Sequence, residues 1–332
     1  MLTLIVPGLI WTRQALADLT CDLPLPAFNT LLGRGRLQHG PARSTAAVLA
    51  AMADLPFPLP AAALRWLALR QHPGESDWLC LDPVRLHIQE RSLIVDDPRL
   101  LHLGSDETAA LTVSLAPTLA ALGQLEVVAP GMWNLRLSAA APAFPDLPEA
   151  AGRSAAPLPP DPAYAPWRHA LNEAQMILHA HPVNLARQAA GRPMVNSLWP
   201  WGGGRLPPGR RARHDMLWSS DPVLQGLARL LQIDSSEAPA GYARSTAREP
   251  LAVLDTLEHP ARSGDATAWR DELARFEADW LAPALDALRG GRLDALRLFA
   301  PGERGSAELQ LSRHDLWKFW RKPRELTELV AA

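Results

Sequence analysis

Three short, almost continuous apolar runs, Leu2–Val6, Leu251–Leu254 and Leu296–Phe299, stand near the two ends of the chain and restrict its fold more than any other feature. Strands that are apolar on both faces are stable only when both faces are covered, as in a parallel sheet held between helices. The first run is closed by Pro7-Gly8, the second by Asp255 and the third by Ala300-Pro301-Gly302. Each therefore ends in a loop at its carboxyl end, where open α/β sheets carry their chemistry. Helical stretches follow at Phe28–Leu32 and Thr45–Met52. Asp221–Leu231 reads as a further helix, and a long one opens at Asp265 with Trp269, Leu273, Phe276 and Trp280 on one stripe, interrupted by Pro283. A single parallel or mixed sheet, built from both ends of the chain and interrupted in the middle, accounts for this order.

The interrupting block has a different character. Trp78–Leu81, the alternating Val84, Leu86 and Ile88, and Leu93–Val95 read as strands of a sheet with one wet face; Leu125–Val128 and Trp133–Leu137 add two more. Between them Asp106–Leu122 reads as a helix capped by Ser105 and kinked at Pro117. The expected organisation is a core from residues 1–60 and 190–332, an α+β insert over 61–137, an alanine- and proline-rich linker without regular structure over 138–166, and a connecting helix over 167–189.

Charge and cysteine usage remove several classes of function. With 33 basic and 35 acidic side chains the net charge is −2, so no global field draws the chain onto nucleic acid or an anionic membrane, and any such contact must be local. Cys21 and Cys80 form neither a disulfide framework nor a zinc site. Leu2–Val6 lacks a basic leader, and no apolar run approaches the roughly 20 residues that span a bilayer. A soluble, cytoplasmic protein with no membrane partner is expected.

The most unusual mixture lies between His181 and Gly204, where Asn184, Arg187, Arg192, Asn196, Trp199 and Trp201 precede and flank Gly202, Gly203 and Gly204. Glycine admits positive φ and close backbone approach, so the run reads either as a ligand-cradling turn or as a buried turn stapled by tryptophans. Arg187, Arg192 and Arg205 suit bidentate recognition of phosphate or carboxylate, the alternative being surface residues of an arginine-rich chain. His179 and His181 are spaced as a metal pair would be on a strand, but the following Pro182 makes capping of a helix end the simpler reading. Near the C-terminus, Arg313–Arg324 interleaves Trp317, Phe319 and Trp320 with basic residues, as a partner groove or a single nucleic-acid strand would require. The simpler reading is a helix that docks its aromatics on the core.

Gly191-Arg192-Pro193-x-x-Asn196-x-x-Trp199-x-Trp201-Gly202-x-Gly204, preceded by Asn184-x-x-Arg187, resembles the segment of archaeal-type cofactor-independent phosphoglycerate mutases that ends in Trp-Leu-Trp-Gly. Within that resemblance the chain is most similar to the bacterial mutase-like proteins described as Rpf-type regulatory proteins. The resemblance implies an α/β fold, with an alkaline-phosphatase-like sheet core flanked by helices and an inserted α+β subdomain. It also implies two divalent metals beside a serine nucleophile at the carboxyl ends of the sheet.

On the matching positions Ser44 stands as the nucleophile, but Pro7 replaces the first metal-binding Asp and Thr45 stands where another is usual. Gly302-Glu303-Arg304-Gly305-Ser306 replaces an Asp-His-Gly-Thr-type turn, and an Asp-x-x-x-His element survives only as Asp255…His259. Two divalent cations need several carboxylate and imidazole donors. The expectation is a degenerate, non-catalytic regulatory or metabolite-binding protein with no metal, no cofactor and no catalytic residue. A phosphorylated or carboxylate ligand would lie near Ser44, Asn184, Arg187, Arg192, Asn196, Trp199, Trp201 and Gly202, Gly203 and Gly204. The alternatives are an active mutase or phosphatase using Ser44, and a protein or single-strand nucleic-acid adaptor acting through the C-terminal run.

Overall fold

The computed structural model describes residues 1–70, 72–89, 91–209, 213–242 and 247–331. In chain order the strands are β1 (Leu2–Ile5), β2 (Arg36–Gly40), β3 (Trp78–Val84), β4 (Leu86–Gln89), β5 (Ser92–Val95), β6 (Gly123–Ala129), β7 (Met132–Leu137), β8 (Ser197–Gly204), β9 (Met216–Trp218), β10 (Asp234–Ser236), β11 (Pro250–Val253), β12 (Ala295–Ala300) and β13 (Ser306–Ser312). The chain divides into two compact units, one of Met1–Phe57 with Gly209–Ala332 and one of Pro58–Pro208. No helix among the described residues is long and apolar enough to cross a membrane.

The first unit is built on a seven-stranded sheet in the order β10-β9-β11-β1-β12-β13-β2. The three apolar runs are its centre. β1 lies between β11 and β12 and runs parallel to both, with Thr3 opposite Leu251 on one side and Arg297 on the other. Every residue of β1 and β11 is buried, as strands apolar on both faces require. β9 and β10 extend the parallel part, while β13 and β2 complete the sheet antiparallel. Phe28, Leu31, Trp269, Leu273, Phe276, Trp280 and Leu285 join Leu4 and Leu298 in the core. The unit is thus a mixed α/β sheet flanked by helices.

The stripe that opens at Asp265 keeps its direction past Pro283 by changing helix type. Asp265 caps the helix Ala266–Phe276, a π-helical turn covers Glu277–Leu281, and Ala282–Arg289 returns to α. Proline has no N–H to give, and its ring crowds the carbonyl four residues back; widening the preceding turn relieves both. The same turn aims a buried carboxylate. Glu277 accepts from the amides of Ala27 at 2.6 Å and Phe28 at 3.0 Å, the first turn of the helix Pro26–Arg34, whose own N-cap supplies no side-chain acceptor. Burial pushes the Glu277 carboxyl up, against the pull of those two amides.

The second unit holds a four-stranded sheet in the order β6-β7-β3-β8, antiparallel throughout, and the hairpin β4–β5. Helices Ser105–Leu119 and Ala165–His179 bury Leu111, Leu115, Ala174 and Leu178 with Leu79, Leu81, Trp133 and Leu135 of the sheet. Gly104, not Ser105, caps the first of these helices, and its amide donates to the Glu107 carboxylate at 3.1 Å.

Two expectations about this region need correcting. Residues 190–204 do not join the first unit, because β8 pairs antiparallel with β3 from Ser197–Val84 to Gly204–Trp78. Residues 138–166 are not wholly irregular. They contain the short helix Leu147–Ala150, a 3-10 turn at Pro162–Tyr164, and bridges from Ala151 and Ser154 to β5.

Asp146, at the start of that short helix, is pushed up to about 6 by burial and by the neighbouring Glu149 carboxylate. A carboxyl raised in the folded state favours folding below its ordinary value of 3.8, and that contribution is lost as pH rises through about 6. Asp146→Asn is therefore expected to flatten the fall in melting temperature across this window, as thermal unfolding between about pH 4 and 7 would show.

Candidate functional site

In the first unit the loops that follow β1, β2, β11 and β12 gather at one end of the sheet. Pro7 is buried, and Gly8 turns with φ +78° so closely against the next loop that a Cβ there would lie 2.7 Å from the Glu258 Cα. Trp269 Nε1 donates to the Gly8 carbonyl at 2.8 Å and fixes the turn. The Arg43 amide donates to the Gly302 carbonyl at 3.2 Å, and Ser306 Oγ donates to the Pro41 carbonyl at 2.8 Å. Ser44 lies in this cluster, but its Oγ accepts from the Ala47 amide at 3.2 Å and caps the helix Thr45–Met52.

The donor set at this end does not fit two divalent cations. Proline at 7 offers no ligand, Thr45 opens a helix, and Arg304 brings a positive charge into the loop after β12. Glu258 forms an ion pair with Arg262 at 2.6 Å. Among the described residues no three of His, Cys, Asp and Glu stand together as a group that could hold a metal.

The remaining residues expected at the site all lie in the second unit, where most of them hold its backbone. Arg187 is fully buried: Nε donates to the Pro193 carbonyl at 2.7 Å, one terminal nitrogen to Glu107 at 2.8 Å and the other to the Leu101 carbonyl. Arg192 pairs with the second oxygen of Glu107 at 2.9 Å. Burial works to raise the Glu107 carboxyl, but the Gly104 amide and both guanidinium groups outweigh it and hold it below its ordinary value.

The two asparagines act as backbone clamps. Asn184 donates to the carbonyls of Leu178 and Val195 and accepts from the Val195 amide; Asn196 exchanges both of its bonds with Leu86. Trp199 Nε1 donates to the Pro145 carbonyl, and Arg205 pairs with Asp77. His181 caps the helix Pro182–Ala189 through Nδ1, so it serves an amide rather than a carbonyl, while Nε2 meets Ser114 Oγ.

The three glycines end a strand. They close β8 at the edge of the sheet, the position in which a strand tolerates a proline such as Pro200. Gly202, at φ +59°, leaves room for Ala61, whose Cβ would lie 2.6 Å from an added one.

Sequence reasoning missed the buried centre of this unit. Arg65 donates to Asp82 at 2.9 Å, to Asn134 Oδ1 and to the Trp133 carbonyl. Asp82 also accepts from the Trp133 amide at 2.9 Å and from Trp201 Nε1 at 2.8 Å. Both charged groups are buried. A carboxylate inside the apolar stretch Trp78–Val84 was the available signal, since a buried charge must be paired.

At the C-terminus the aromatics do not dock. Trp317, Phe319 and Trp320 are 76, 77 and 69 % exposed.

No protein-family model matches the chain, and no curated protein matches its sequence. Solved structures do share its fold. A cofactor-independent phosphoglycerate mutase from Thermoplasma acidophilum DSM 1728 superposes with a TM-score of 0.51 at 17 % identity, covering 100 % of this chain and 95 % of its own. The PH0037 protein from Pyrococcus horikoshii superposes with a TM-score of 0.60 at 12 % identity, over 98 % of this chain and 91 % of its own. The chain therefore has the phosphoglycerate-mutase-like, alkaline-phosphatase-type α/β fold.

Proposed function

We propose that this chain is a non-catalytic member of the mutase-like group, akin to the bacterial proteins described as Rpf-type regulatory proteins, and that it works by binding. The observation that carries this reading is the donor set at the carboxyl end of the first sheet, where proline, threonine and arginine occupy positions that two cations would need as ligands. Ser44 Oγ caps a helix by accepting from the Ala47 amide, a structural role that needs no catalysis to account for it. We read the tryptophan- and glycine-bearing segment as the frame of the second unit, since the buried Arg187 and the two asparagines spend their hydrogen bonds on backbone groups.

The test is an assay for phosphoglycerate mutase and phosphatase turnover with manganese added. Wild type and Ser44→Ala are expected to show the same background rate. The substitution should still be visible as a loss of about 1 kcal/mol in thermal unfolding, the value of an N-cap hydroxyl. Turnover that disappears with the Ser44 hydroxyl would establish an active enzyme instead.

A further inference from the structure

The segment Arg313–Arg324 has no part in the reading above, yet it is the largest group of exposed aromatic side chains on the first unit. It is held at both ends. Arg34 donates to the Leu316 carbonyl at 2.8 Å, the Arg324 amide donates to the Asn29 carbonyl at 3.1 Å, and Leu326 and Leu329 are buried beyond it. The backbone at Lys322-Pro323 presses on the helix Pro26–Arg34 so closely that a Cβ on Gly33 would lie 2.9 Å from the Pro323 Cα. With its backbone fixed, the segment turns Trp317, Phe319 and Trp320 to water, and a clustered exposed apolar patch of this kind marks a surface for contact.

Basic side chains outnumber acidic ones around the rings. Both lysines of the chain, Lys318 and Lys322, lie here with Arg313, Arg321 and Arg324. Asp315 is neutralised by Lys318 and is bound into the Ser312 cap. Arg321, Lys322 and Arg324 make no ion pair with a described residue.

We propose that this segment docks the protein on an anionic lipid surface, with Trp317, Phe319 and Trp320 entering the headgroup region and Arg321, Lys322 and Arg324 facing lipid phosphates. Tryptophan and phenylalanine flanked by basic side chains is the pairing an anionic interface takes up, each cation adding to the attraction. Ring geometry separates this occupant from a single nucleic-acid strand. Successive bases stack on faces presented in line, whereas Phe319 and Trp320 meet edge to face at 79° with centroids 5.4 Å apart. A bilayer interface sets no such condition. A second copy of the chain in a two-fold contact would bring the same cations onto one another. The expectation of no membrane partner rested on the lack of a span and of a global positive field, and contact through a local basic and aromatic patch needs neither.

Sedimentation of the full chain with vesicles tests the proposal, using phosphatidylcholine alone or with about one third phosphatidylglycerol. Wild type is expected to sediment with the anionic vesicles only and to have its tryptophan emission quenched by bromine-labelled lipid. The triple change Arg321→Glu, Lys322→Glu and Arg324→Glu should weaken partitioning by at least about 100-fold. Trp317→Ser, Phe319→Ser and Trp320→Ser together should abolish the quenching. These side chains are exposed, so unchanged melting temperatures would keep both readouts on the surface. The proposal fails if wild type does not sediment, if the aromatic variant binds as well as wild type, or if an oligothymidylate binds and the vesicles do not.

Discussion

Asp82→Ala is expected to unfold the second unit at a temperature well below that of wild type, through a loss of about 3–5 kcal/mol. The carboxylate is the hub of the buried cluster: it accepts from Arg65, from the Trp133 amide and from Trp201 Nε1. Removing it leaves a guanidinium without its counter-charge and two N–H donors without acceptors in a place that water does not reach. Replacing Arg65 and Asp82 together by apolar residues of similar size should recover most of the loss, because the cost arises from stranding one charge more than from losing the pair. Calorimetry of the two variants against wild type separates these terms. Equal destabilisation by the single and double changes would show that the cluster contributes through its geometry alone.

Gly8→Ala should be the most damaging single methyl group in the first unit, with an expected cost of about 3 kcal/mol or more. Two effects act together. At φ +78° any residue other than glycine is strained, and the added carbon would fall on the Leu257 carbonyl and 2.7 Å from the Glu258 Cα. Those atoms are backbone, so no side-chain rotation can make room. Either the turn after β1 or the turn after β11 must move, and Trp269 loses its acceptor at the Gly8 carbonyl. Chemical denaturation is the appropriate readout. A variant as stable as wild type would mean that the two turns are looser than this packing implies.

The parts of the fold legible in the sequence were those with unmixed patterns. β1, β11 and β12 are apolar runs that only a covered sheet accommodates, and Thr45–Met52 matches its helix end to end. β13 carries a period of two in Ala307, Leu309 and Leu311, but the glycines just before it drew attention as a possible site turn. β2 could not be read locally. Arg36–Gly40 is almost entirely exposed and is a strand only because β13 offers it an edge. In β8, Pro200 and three glycines argue against a strand, and edge position is what tolerates them.

The candidate site divides in the same way. That position 7 carries no donor side chain and position 45 a hydroxyl in place of a carboxylate is a matter of residue type and is visible in the sequence. Whether Arg187 points at a ligand or at the Pro193 carbonyl depends on where the chain returns, which residue type does not reveal. The exposure of Trp317, Phe319 and Trp320 is likewise set by the chain around them, through Gly33 and the buried Leu326 and Leu329.

The widened turn at Glu277–Leu281 also has a rotational consequence. An α-helix advances about 100° per residue, so a turn that takes in one residue more resets the angular phase of everything beyond it. Trp269, Leu273 and Phe276 before the turn and Ala284, Leu285 and Leu288 after it face the same core because of that reset. Straightening the helix, by deleting one residue there and replacing Pro283, would swing one half out of alignment with the other. The Glu277 carboxylate would then be carried away from the two amides it serves. A single surplus residue thus acts as the timing mark between two halves of one rod.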